Sequence, residues 1–101
     1  MKSIVSTRLT MVDLMSTVSR NKNIISAVVH EETVALSVEN GMYYTFSITS
    51  HEIWRRLSSP VQVDDLCADL AEAYAADRTI IEADTVAFLN HLFSLGLIHV
   101  S

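Results

Sequence analysis

The sequence predicts an α+β fold: a three-stranded antiparallel β-meander followed by three α-helices. Two observations carry that reading. Residues 24 to 48 hold a β-branched apolar run and two segments that alternate apolar with polar at period two, separated by polar turns, and the period then lengthens to that of amphipathic helices. The length is 101 residues, half of them hydrophobic and 19% charged, which suits one compact domain and not a disordered tail. Residues 1–23 read as a partly ordered N-terminal arm, and residues 24–101 as the domain.

The meander opens with Ile24-Ile25-Ser26-Ala27-Val28-Val29, apolar and β-branched. His30-Glu31-Glu32 makes a polar turn. Thr33 to Val38 alternates, with Val34, Leu36 and Val38 on one face. Glu39-Asn40-Gly41 follows, and Asn-Gly predicts a type I′ hairpin, whose central residues both need positive φ. The returning strand, Met42 to Ile48, sets Met42, Tyr44, Phe46 and Ile48 on one face and Tyr43, Thr45 and Ser47 on the other.

Thr49 or Ser50 is placed to cap a short first helix with Ile53, Trp54 and Leu57 on its apolar side. Ser58-Ser59-Pro60 ends it, because proline disfavours helix at the residue before it. Val63, Leu66, Cys67, Leu70 and Tyr74 form the stripe of a second helix, with Asp64 and Asp65 at the end where the macrodipole favours negative charge. A third helix runs from Ile80 or Ile81 to Leu95, closed by Gly96. Ile81, Thr85, Phe88, Leu92 and Leu95 make its stripe, with Leu89 beside them. Asp84, Ala87 and His91 lie on one flank, and Val86 and Phe93 lie well round from the stripe. This arc is wider than one contact needs, so the helix is expected to touch more than the core. Leu97 to Val100 reads as an extended tail.

Composition excludes several functions. The net charge is −5 and uneven: Lys2, Arg8, Arg20 and Lys22 crowd the first quarter. Asp64, Asp65, Asp69, Glu72, Asp77, Glu82 and Asp84 fill the second half, with Arg78 as the cation among them. Such a field repels phosphate backbones, so no nucleic-acid partner is expected there. The single cysteine, Cys67, excludes an internal disulfide and falls on a core stripe, where a buried thiol is expected. His30, His51, His91 and His99 show no metal-ligand spacing, and Gly41 and Gly96 make no phosphate-cradling loop. No apolar run spans a bilayer, and Met1 to Arg8 lacks the apolar core of a secretory signal, so a cytoplasmic protein without membrane contact is expected. No nucleophile, base or metal constellation appears. Neither enzymatic activity nor a cofactor is expected.

What remains is an exposed edge. The third strand of the meander has a free side and contains no Pro, Lys, Asp or Glu to discourage pairing. The arm or a dimer mate can cover it, or an extended peptide can add a strand there, bonding through its backbone and placing alternate side chains in pockets.

Three stretches then suggest a family: Gly41-Met42-Tyr43-Tyr44-Thr45-Phe46, Ile53-Trp54-Arg55-Arg56-Leu57 and Pro60-Val61-Gln62-Val63-Asp64-Asp65-Leu66-Cys67. With Ala83 to Leu89, Leu95-Gly96-Leu97-Ile98 and Val18-Ser19-Arg20, they resemble the PqqD-like recognition elements of ribosomal peptide biosynthesis, in particular the stand-alone members of lasso-peptide clusters. The chain departs from the pattern at Ile48-Thr49, Gln62 and Asp84-Thr85. The resemblance implies a winged-helix-like fold and a non-catalytic peptide chaperone. A precursor leader peptide would dock as a strand on the third strand, against the third helix. The strand contribution falls on Met42, Tyr43, Tyr44, Thr45 and Phe46. The helix contribution falls on Asp84, Ala87, Phe88 and His91, with Val86 and Phe93 as the alternative lining. The implied partners are a cysteine-protease-like leader peptidase and the cyclase, with the protein itself a monomer or weak dimer. Two rivals are a winged-helix DNA-binding domain, disfavoured by a third helix bearing Glu82 and Asp84 but no Lys or Arg, and an adaptor that dimerises through the same edge.

Overall fold

The structure, a computed structural model, describes residues 11–30 and 32–100. Residues 1–10, Glu31 of the expected turn and the side chains of Ile48 and Thr49 lie outside the described residues. Among the described residues the elements in chain order are β1 (Thr17–Arg20), β2 (Ile24–Val29), β3 (Glu32–Ser37), β4 (Tyr43–Phe46), α1 (Ile48–Arg56), β5 (Val61–Gln62), α2 (Val63–Tyr74), α3 (Arg78–Ser94) and β6 (Ile98–Val100). The class is α+β, as expected.

The meander β2-β3-β4 is antiparallel throughout, with Ile25 opposite Leu36 and Leu36 opposite Tyr43. Its turns differ from the expectation. Glu32 pairs with Val29 and so belongs to β3 and not to the first turn, and His30 sits at φ 50°. In the second, the Gly41 amide donates to the Ser37 carbonyl and only Gly41 (φ 72°) is left-handed. The loop therefore runs over Val38 to Gly41 instead of a two-residue type I′ turn, and the Asn40 side chain accepts from the Met42 amide. β4 is also shorter than expected. Its ladder ends where Phe46 meets Thr33, and Ser47, extended at ψ 173°, opens α1 without a side-chain cap.

A second sheet, β5-β1-β6, forms from pieces that read as arm and tail. Val18 is its centre, facing Val61 on one side and Val100 on the other, and is fully buried. The segment before it is held by Asn90 of α3, which accepts from the Val12 amide and donates to the Val12 carbonyl. Trp54, Leu57, Val63, Leu66, Cys67, Leu89, Leu92 and Leu97 fill the core between the two sheets and the helices. Burying side chains of this size contributes roughly 1.5–3 kcal/mol each.

α2 ends at Ala75, which is left-handed (φ 49°), and Asp77 caps α3 by accepting from the Thr79 amide. α3 thus starts at Arg78, earlier than expected. That cation is committed: it donates to Asp64 on α2 and to Glu82 one turn on.

Candidate functional site

The geometry of β4 follows from one bond. The Ser37 amide donates to the Met42 carbonyl, so Met42, Tyr44 and Phe46 turn their backbone groups toward β3. Tyr43 and Thr45 then turn theirs to the other side, where no strand pairs among the described residues. Two amides and two carbonyls form an open edge.

The inner face of β4 is tied to two helices. The ring of Phe46, buried, lies 5.4 Å from Trp54 of α1 and meets Phe88 of α3 edge-on at 5.8 Å. These aromatic contacts set the spacing between the strand and α3. A cavity of about 230 Å³ opens between them, lined by Tyr44, Thr45, Phe46, Ser50, Phe88 and His91. A second, of about 280 Å³, adjoins it through Ser50 and Phe88 and runs between the helices past Ile53, Tyr74, Ile81 and Asp84. Together they make a trough beside the open edge, largely apolar, with Asp84 and His91 among its polar residues.

Of the residues read from the sequence, Tyr44, Thr45, Phe46, Phe88 and His91 line the first cavity and Asp84 the second. Met42 precedes the strand, and Tyr43 points to the outward face, 70% exposed. Ala87 is exposed and lines neither cavity. Val86 and Phe93, the alternative lining, line neither of these two cavities and share the flank of α3 on which Asn90 holds the N-terminal segment. Ser50, Tyr74 and Leu95 were missed as lining residues. The signal for Leu95 was its place two helical turns after Phe88. Tyr74 read as core but is 49% exposed where the stripe of α2 runs out.

The outward face of the meander is apolar as well, with Ile25, Leu36 and Tyr43 forming an exposed row across the three strands. At the opposite end of the sheet Arg20 lies 4.7 Å from the centre of the Trp54 ring and donates twice to the Trp54 carbonyl, and burial lowers its pKa from the ordinary value. Burial pushes the Cys67 thiol up, as suits a core position. Among the described residues no group of His, Cys, Asp or Glu is placed to hold a metal ion. No helix among them is long and apolar enough to cross a membrane.

Comparison with known proteins fits this architecture. No curated protein matches the chain. A solved structure described as "TbiB1 in Complex with the TbiA(beta) Leader Peptide" is similar in fold, with a TM-score of 0.75 and 23% identity, over 80% of this chain and 94% of that one. The family model for coenzyme PQQ synthesis protein D matches residues 32–98, from the second strand of the meander through the helices to β6. The chain belongs to the PqqD family.

Proposed function

We propose that this protein is a non-catalytic peptide chaperone that binds the leader of a ribosomally made precursor, of the lasso-peptide type, as an added strand on β4. It then hands the precursor to a cysteine-protease-like leader peptidase and on to the cyclase. The observation that carries this is the open edge of Tyr43 and Thr45 beside a trough lined by Phe88 and His91. An added strand takes its affinity from the edge amides and carbonyls and its specificity from alternate side chains entering the trough. The family supports the reading, as does the likeness to TbiB1, a protein solved in complex with a leader peptide. Because the edge and trough are already formed, only the leader is ordered on binding. The outward apolar face stays uncovered for a second partner. The DNA-binding reading gains nothing from α3, whose Arg78 is paired with two carboxylates.

The test is fluorescence anisotropy of a labelled leader, taken from a neighbouring open reading frame, titrated with the protein. Saturable binding is expected. Thr45→Pro removes an edge amide that β3 does not use and is expected to weaken binding about tenfold or more with the circular dichroism unchanged. If no neighbouring short peptide binds and light scattering shows a stable dimer, the edge serves self-association instead.

A further inference from the structure

The meander has a second open edge, on β2, and its surroundings are chemically unlike those of β4. The Val38 amide donates to the Asn23 carbonyl, so Asn23, Ile25, Ala27 and Val29 face β3. Ser26 and Val28 therefore turn their amides and carbonyls away from the sheet, and no strand pairs there among the described residues. Like β4, β2 carries no Pro and no charge to discourage pairing. Val28 belongs to the inner face, opposite buried Thr33, yet is 60% exposed. The helices therefore stop short of this corner of the sheet.

The uncovered corner is a cavity of about 400 Å³ lined by Arg20, Ser26, Thr33, His51, Trp54 and Arg55. Its lining includes two guanidiniums, an imidazole and two hydroxyls, and no carboxylate. Trp54 fixes one wall, its indole N–H donating to the Ser26 hydroxyl at 3.1 Å. Thr33 and His51 hydrogen-bond to each other through Oγ1 and Nδ1. Arg20 uses Nε and Nη2 on the Trp54 carbonyl, which leaves Nη1 without a protein partner among the described residues. Arg55 and Arg56 share the carboxylate of Glu52, and Arg56 also approaches Asp69 at 3.8 Å. In a chain of net charge −5, the lining of this cavity is cationic.

We propose that the β2 edge is a second strand-addition site, which takes an acidic extended segment of a partner polypeptide and seats one of its carboxylates beside Arg20 and Arg55. The edge fixes the segment through the Ser26 and Val28 backbone. Side chains of the added strand alternate, so every second one enters the cavity. An anionic group there finds the leftover Nη1 donors of Arg20 and a guanidinium on Arg55 that exchanges from Glu52.

This site does not depend on the leader-binding reading, and one experiment separates the two. The ¹⁵N-labelled protein is titrated with a blocked hexapeptide alternating threonine and glutamate, and with its glutamine counterpart. The acidic peptide is expected to shift the amides of Ser26, Val28, His51 and Arg55, leaving Tyr44, Thr45 and Phe88 in place. The glutamine peptide should bind about fivefold more weakly, and Arg55→Gln should weaken the acidic peptide about threefold. Val28→Pro should abolish those shifts while leader binding survives, and Thr45→Pro should do the reverse. Equal binding of the two peptides would overturn charge recognition. Shifts confined to β4 and α3, or no saturable shift by millimolar peptide, would overturn the site itself.

Discussion

The two edges of the meander share one backbone design and differ in what lies beneath them. At β4 the neighbours are Phe46, Phe88 and an apolar trough along α3. At β2 they are Arg20, His51 and Arg55 around a cavity without a carboxylate. Backbone groups at an edge are indifferent to sequence, so an added strand is chosen by the side chains that receive its own. An edge strand sets that binding can happen, and the flanking helix sets what binds. α3 offers aromatic surface, whereas the C-terminal half of α1 offers cations, where the helix dipole favours them.

The largest effect is expected where the two regions meet. Trp54 is 1% exposed, packs at a tilt against Phe46 beneath one edge and walls the cavity of the other. Trp54→Ala should cost about 3–5 kcal/mol in urea unfolding and impair both edges together. Were one edge to keep its full affinity in a folded variant, the two sites would not share this support. Phe88→Ala should divide them. The ring is partly buried and lines both halves of the trough, so leader binding is expected to fall about tenfold for a stability loss of about 1–2 kcal/mol. Acidic-peptide binding at β2 should not change.

A smaller effect defines the border of the trough. Ala87 lies between Asp84 and His91 on the exposed flank of α3. Ala87→Glu should weaken the leader about threefold if the peptide overlaps that flank. Unchanged affinity in the anisotropy titration would confine the leader to the Phe88 side.

Much of this was legible before the structure, and the exceptions have physical causes. Helices α2 and α3 were visible because their stripes recur over several turns: Val63, Leu66, Cys67 and Leu70 are all buried. The β4 side of the trough was visible because alternation puts Tyr44 and Phe46 together. Which face of β3 turns inward was not. Thr33, Ala35 and Ser37 are the buried set, and the more apolar Val34 and Leu36 face outward, so alternation marks two faces of β3 without saying which one the helices cover. The sheet around β1 was hidden for another reason. Its strands are two to four residues long and far apart in the chain, too short to show a period, and are held by Asn90 and by the backbone bonds of Arg20 and Asn21 to Leu57 and Leu97. The β2 cavity escaped because Arg55-Arg56 reads as a solvated pair until Arg20 is brought beside it.

The finest test uses the carboxylate that pairs with Arg55 beside β2. The Glu52 carboxyl is lowered from its ordinary 4.5, first by the hydrogen bond from Arg55, with Arg56 adding to it and partial burial opposing. A carboxyl lowered in the folded state releases its proton more readily there than in the unfolded chain. Its contribution to stability is therefore complete above the ordinary value and disappears as pH falls through the lowered one. Both partners reach solvent, so Glu52→Gln should cost only about 0.5 kcal/mol at neutral pH and nothing in strong acid. The same substitution frees Arg55. If β2 receives carboxylates, the acidic peptide should bind Glu52→Gln about twofold more tightly than the parent at neutral pH, while leader affinity at β4 stays level. A variant that loses stability yet gains nothing for the acidic peptide would mean that Arg55 serves α1 alone.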